Sequence, residues 1–504
     1  MLLSQLFHQS VARAPDTVAV VNLGSGRELT YQELSDRVFS LANGLRKHGI
    51  GHGDRIAVCM GNRPETVMTF LATQFIGAIP VLFNFRETAD GVTYHVDDSN
   101  VDTLLYDALS AESVQMAVDS IDCDLIYVGN EETSEAKPFG SLLDAPPDKP
   151  DVNVSADDPS VILYSSGTTG DPKGIPLDHR ATTTRTLVNA MGQRYYLDET
   201  LIGIMPLYHT IGLHGILCNV LSVSGTYLCM PKFNPERCVE AISEWEVTGL
   251  HEAPTIFSQY LATNAIDEVD VSSVRAIGYS GAPMNSELFN KVVNAFNPDH
   301  IANLYGTTEA FGTTAHVGLN ENDDPRITGP ANVFYEIRIV NLENDPNDEV
   351  EHGEEGELIV NIESPLAFDG YLNKPEHTEE VIHDGWFFTG DAAYETDEGY
   401  IVITGRTDDM IISGGENIHP VNVEDILTSH SEIRDAAVVG VPDKEWGELV
   451  KAYIVADDGM TSDDIDKWCM NNDALANFKR PREYEFLDEL PRNPSGKILR
   501  HKLR

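Results

Sequence analysis

The order of apolar runs along the chain predicts an α/β fold. A large N-terminal domain of parallel-rich sheets carries a β-barrel-like part, and a small α+β domain closes the chain. Three observations predict it. Short apolar runs alternate with helix-length stretches through roughly the first 400 residues. After about Tyr335 the runs shorten and acidic turns separate them. A unit of roughly 95 residues then follows the GRTDD segment at 405–409, with its own mixed pattern.

The elements follow in order. An amphipathic stretch (LLSQLFHQSVARAP) opens the chain without the charged start, long apolar core and cleavage site of a signal peptide, so a cytoplasmic protein is expected. RIAVCM (55–60), the helix-like RPETVMTFLATQFIGA and IPVLFN (79–84) make a strand–helix–strand unit. Further strands read at DLIYVG, SVILYSS, LIGIMPL, TYLCMP, VTGLHEAP, VRAIGYSG and IANLYGT. Residues 144–159 are the most loop-like stretch and read as a surface connector. Leu201 to Pro231 carries no formal charge and is long enough to span a membrane. Pro206, His209, His214, Asn219 and several Gly break it, and it reads as a buried strand–loop–helix–strand. YEIRIVN, GELIVN and GYIVITG then read as antiparallel β, a sheet or small barrel.

Composition narrows the function. Asp plus Glu number 81 against 34 Lys plus Arg, a net charge of −47, and only 13 of the bases are Lys. Phosphate-binding surfaces of the nucleic-acid kind need clustered Lys and Arg, so that class is excluded. The excess is spread along the chain and is no acidic tail. Diffuse acidity with few Lys fits a halophile cytosol, where molar salt screens like charges; an ordinary acidic enzyme is the alternative. The six Cys lack any CxxC pair and read as reduced packing thiols.

The strongest local signal is YSSGTTGDPKG, Tyr164 to Gly174. A buried strand runs into a loop of small residues ending in Lys173. Backbone N–H groups at Ser166, Gly167 and Gly170, with the hydroxyls of Ser165, Thr168 and Thr169, form an anion cradle distinct from the Walker loop.

With MPLYH (205–209), YSGAP (279–283), YGTTE (305–309), GWFFTGD (385–391), GRTDDMIISGGENIHPVNVE (405–424) and PRNPSGKILR (491–500), this loop resembles the ordered motif series of the adenylate-forming superfamily: acyl-CoA synthetases, luciferases and adenylation domains. The resemblance spans nearly the whole chain. It implies an acid–thiol ligase with ATP and coenzyme A as co-substrates and Mg²⁺ as the ion. It also implies a domain of residues 1–404 for ATP and acid, a hinge at 405–409 turning on Asp408, and a mobile domain at 410–504. Glu309 would hold Mg²⁺, a helix N-cap or a solvated side chain being the alternative; Tyr305, Gly306 and Thr307 would meet the nucleotide, and Gly281, Ala282 and Pro283 the adenine. Asp391 and Arg406 would take the ribose. Lys497 would bridge the carboxylate and the α-phosphate, with Thr168 and His209 also at the reaction centre. After the domain swings, Gly414 and Gly415 would leave room for pantetheine. Trp446, Phe478 and Arg480 would contact the CoA nucleotide, with packing an equal reading for the first two.

The acid is the open part. GIMPLYHTIGLHG, SPLAFDGYLNKPE and neighbouring segments resemble aryl-carboxylate ligases of the chlorobenzoate and hydroxybenzoate type. The acid would then meet His209, Thr210, Ile211, Leu304 and Phe311. A medium-chain fatty acyl ligase, or an enzyme loading a carrier protein, remains the alternative.

Overall fold

The computed structural model describes residues 1–129, 136–165, 171–320, 323–342, 345–430, 432–444, 446–456, 459–472, 474–492 and 498–504. Their packing separates two compact units. The first gathers residues 1–165, 171–336 and 361–385, and the second gathers 337–360 and 386–504.

The first unit holds two sheets. One runs in the order Lys137–Pro138, Asp124–Val128, Thr103–Asp107, Arg55–Cys59, Ile79–Leu82, Pro159–Ser165, Lys173–Asp178. Its strands are parallel until the last, which turns back against Pro159–Ser165. That hairpin sets Ser165 opposite Lys173. The other sheet has eight strands, in the order Thr314–Val317, His300–Tyr305, Ala276–Tyr279, Gly249–Glu252, Thr200–Gly203, Thr226–Cys229, Val18–Asn22, Arg27–Thr30. The middle six are parallel and each edge strand is antiparallel. Central strands such as Ile79–Leu82 are buried throughout, as expected where helices cover both faces.

The helices start and stop where local chemistry dictates. Pro64 opens Pro64–Ile76, and Gly77 ends it in a left-handed turn at φ 70°. Asp178 closes its strand and caps His179–Gly192 by accepting from the Ala181 N–H at 2.6 Å. The uncharged stretch resolves as the strand Thr200–Gly203, a π-helical turn Ile211–Leu217 running into Cys218–Ser222, and the strand Thr226–Cys229. Among the described residues no helix is long and apolar enough to cross a membrane. All six Cys are free thiols, five of them buried.

The second unit contains the antiparallel strands Ile337–Val340, Gly356–Asn361, Trp386–Glu395 and Ile401–Arg406, the first pair and the last pair each hydrogen-bonded together. Their order in the sheet is Ile401–Arg406, Trp386–Glu395, Gly356–Asn361, Ile337–Val340. A further sheet joins Glu416–Ile418, Ile411–Ser413, Gly447–Ala456 and Ile433–Asp443, with Glu483–Phe486 parallel to Gly447–Ala456. Helices Pro420–Thr428 and Ser462–Met470 bury Val423, Leu427 and Ile465 against one face of it, beside Val438 and Ile454.

Candidate active site

In the first unit the turn after the strand His300–Tyr305 is built tightly. Thr307 N–H donates to the Ala310 carbonyl at 3.1 Å, and the Ala310 N–H donates to Thr307 Oγ1 at 3.0 Å. A Cβ at Gly306 would lie 2.4 Å from the Gly312 nitrogen, so the turn closes only around glycine. It presents Glu309, which is 8% exposed and whose Oε1 accepts from the Tyr371 hydroxyl at 2.9 Å.

Behind this turn lies Arg185, fully buried, donating to the carbonyls of Leu366 (2.6 Å), Thr308 (3.0 Å) and Glu309 (3.1 Å). Burial pulls its pKa down to about 10. Nothing in the sequence marked this arginine, which sits in a Thr-rich helix. Lys173, at the far end of the hairpin loop, sets its ammonium 4.9 Å from the centre of the Tyr371 ring. Tyr371 lies in the DGYLNK segment but was not expected at the site.

Of the residues expected at the acid, Thr210 and Phe311 both meet His214 in the same unit, and Ile211 approaches Gly281. Thr210 is buried and Ile211 half-buried, and Ile211 Cδ1 is 3.9 Å from where a Cβ of Gly281 would stand. Gly281, Ala282 and Pro283 are exposed at the end of the strand Ala276–Tyr279. Leu304 and Phe311 are buried, and the Tyr335 hydroxyl donates to the Phe311 carbonyl at 3.1 Å. Two histidines that sequence did not single out for the acid join them. The His214 ring centre lies 6.0 Å from that of Phe311, and His214 Nδ1 is 2.9 Å from Thr210 Oγ1. His251 Nε2 is 3.1 Å from Ser280 Oγ. Desolvation lowers the pKa of His251 and of His209 to about 4 and pulls His214 well below its usual range, so these imidazoles are neutral at pH 7. A Cβ at Gly215 would lie 3.2 Å from the His251 ring and 3.6 Å from Phe311 Cζ, so both side chains pack close to the Gly215 backbone.

The second unit carries the remaining expected residues. Asp391 and Arg406 face each other across the ladder, with Arg406 Nη1 3.3 Å from Asp391 Oδ1 and 2.7 Å from the Thr389 carbonyl. Arg406 also reaches Asp408 at 3.3 Å, and the Asp408 carbonyl accepts from Arg504 at 3.4 Å. A Cβ at Gly414 would lie 2.7 Å from the Trp446 ring, and the Gly414 N–H donates to the Trp446 carbonyl at 2.8 Å; Gly415 follows at φ 88°. Trp446 and Phe478 are about half exposed, while the Arg480 guanidinium is paired with Asp466. Ser166, Gly167, Thr168, Thr169, Gly170 and Lys497 lie outside the described residues.

Residues 7–372 match the model of the AMP-binding enzyme family, and residues 422–497 match the AMP-binding enzyme C-terminal domain. The chain is 34% identical over 508 residues to a 4-chlorobenzoate–CoA ligase of Arthrobacter sp., covering 99% of this chain and 94% of that enzyme. It is 30% identical over 539 residues to a long-chain-fatty-acid–CoA ligase of Bacillus subtilis, with coverage of 99% and 94%. The ATP-bound structure of MatB from Rhodopseudomonas palustris superimposes with a TM-score of 0.88 at 27% identity, over 100% of this chain and 98% of that one. The chain belongs to the AMP-binding enzyme family and is an AMP-forming acyl-CoA synthetase.

Proposed function

We propose that this enzyme activates an aryl carboxylate of the benzoate or 4-hydroxybenzoate class. The single observation that supports it is the cluster of aromatic side chains at Gly215, where the His251 ring and Phe311 both come within contact distance of where a Cβ would stand and the His214 ring centre lies 6.0 Å from that of Phe311. Neutral rings at this place suit a flat aromatic acid better than a flexible chain. The higher identity to the chlorobenzoate ligase than to the fatty-acid ligase points the same way.

The acid's carboxylate oxygen attacks the α-phosphorus of ATP, pyrophosphate leaves, and an acyl-AMP anhydride forms. The thiolate of coenzyme A then attacks the acyl carbonyl and AMP leaves. In this reading the cradle from Ser165 to Lys173, including Thr168, binds phosphate oxygens. Lys497 balances charge at the α-phosphate, and Asp391 with Arg406 holds the ribose hydroxyls. The turn at Tyr305, Gly306 and Thr307 orients the nucleotide, and Gly281 to Pro283 lie along the adenine.

Mg²⁺ ordinarily keeps one or two carboxylates and completes its shell with substrate phosphates and water. A single inward-turned carboxylate, Glu309, fits that need, and among the described residues no cluster of three or more ligating side chains offers an all-protein cage. The ion would supply charge neutralisation at the phosphates.

Rotation of residues 410–504 about Asp408 would separate the two half-reactions, bringing Gly414 and Gly415 to the pantetheine arm and placing Trp446, Phe478 and Arg480 towards the CoA nucleotide. The test is a comparison of acids. Benzoate or 4-hydroxybenzoate should exceed octanoate by at least about tenfold in kcat/KM. A preference for octanoate transfers the assignment to a medium-chain acyl ligase.

A further inference from the structure

We propose that Tyr371 is a positioning residue for ATP, seating with one side chain the two opposite charges that meet its phosphates. The hydroxyl donates to Glu309 Oε1 at 2.9 Å, and the ring face carries the Lys173 ammonium 4.9 Å from its centre. Glu309 is nearly buried, so a donor on one oxygen decides which way the other points. A lysine at the end of a small-residue loop has a long, rotatable stem, and an aromatic face restrains it without quenching its charge.

The backbone around Tyr371 is bonded to both partners. The Phe368 N–H donates to the Glu309 carbonyl at 2.9 Å, and Ala367 bridges to Ala310. On the other side the Leu372 N–H donates to the Gly174 carbonyl at 2.8 Å, next to Lys173. Tyr371 is itself located by its N–H on Thr378 Oγ1 at 2.9 Å and by its ring against Phe368 at 5.1 Å. The segment is a strut between the phosphate hairpin and the carboxylate turn, and the tyrosine is the part of it that touches both charges. The inference rests on the reading that Glu309 and Lys173 meet ATP.

The test is calorimetric binding of Mg-ATP to the full chain without acid or CoA, alongside steady-state kinetics. Tyr371→Phe removes only the hydroxyl and keeps the ring on Phe368 and Lys173. It should weaken Mg-ATP binding about tenfold, the loss expected for one hydrogen bond to a charged group. The KM for acid and CoA should stay at parental values. Tyr371→Leu should cost about three- to fivefold more, the share of the ring under Lys173. Tyr371→Phe combined with Glu309→Gln should bind Mg-ATP no more weakly than Glu309→Gln alone.

A tyrosine that only packs would raise every KM together and add to Glu309→Gln. That result overturns the inference, as does unchanged ATP binding in Tyr371→Phe beside a parent that binds ATP. A parent that fails to bind Mg-ATP overturns both this inference and the proposed function.

Discussion

Gly215→Ala places one methyl between His251 and Phe311, beside which the aryl ring is proposed to lie. The added Cβ would stand 3.2 Å from Cε1 and Nδ1 of His251 and 3.6 Å from Cζ of Phe311. The first contact asks the imidazole to give by a few tenths of an ångström, and the second is ordinary van der Waals distance. Gly215 lies inside the helical turn Ile211–Leu217, where alanine gains about 0.5–1 kcal/mol over glycine and offsets the crowding. The fold should therefore keep its stability to within about 1 kcal/mol. The acid has no such compensation. One methyl in a close-fitting pocket is worth about 1–3 kcal/mol, so kcat/KM for benzoate should fall about ten- to hundredfold while KM for ATP holds. Pyrophosphate release at varied acid and fixed ATP reads the first quantity, and thermal denaturation reads the stability. A folded variant that keeps its aryl kcat/KM within about threefold of the parent refutes the placement of the acid beside Gly215.

Lys497→Ala should lose about 10²–10³-fold in adenylation and spare thioester formation from supplied acyl-AMP, as read by the two half-reactions assayed apart. Asp408→Pro should do the reverse, keeping acyl-AMP formation while CoA transfer collapses, because proline fixes φ at a position proposed to turn. Acid should destabilise the fold in a defined window. Burial holds His251 and His179 at a pKa of about 4, whereas the unfolded chain takes those protons near 6.5. The unfolded state binds more protons between these values, so stability falls by about 1.4 kcal/mol per pH unit for each group as pH drops from about 6.5 to 4. A thermal midpoint flat across that range contradicts the burial. Finally, with a net charge of −47, activity and thermal midpoint should both rise from about 0.1 M to above about 1 M KCl; maxima at low salt would remove the halophile reading.

The parts of the fold that sequence made legible are those written in local pattern. RIAVCM through IPVLFN became Arg55–Cys59, Pro64–Ile76 and Ile79–Leu82, because a strand, a proline-started helix and a glycine stop all lie within one short window. The uncharged stretch was readable as buried for the same reason. Sequence did not show the π-helical turn at Ile211–Leu217 or the return of 361–385 to the first unit, since both depend on long-range packing. The site divides along the same line. Glu309, Asp391 and Arg406 stand in motifs whose order is visible along the chain. Arg185, Tyr371 and His251 matter through partners 124, 62 and 29 residues away, and no local spacing encodes those contacts. The resemblance expects Arg480 to face CoA; its pairing with Asp466 comes from the helix Ser462–Met470, outside the segment that carries that expectation.

The most direct test of the central claim is pyrophosphate release from ATP with 4-hydroxybenzoate, measured with and without coenzyme A, with both products identified by mass. A single-turnover burst and an enzyme-held aryl-AMP are expected when coenzyme A is absent, and continuous release with AMP and aryl-CoA when it is present. Release with octanoate but not with the aryl acid contradicts the proposed substrate, and turnover that never passes through an acyl-AMP contradicts the mechanism.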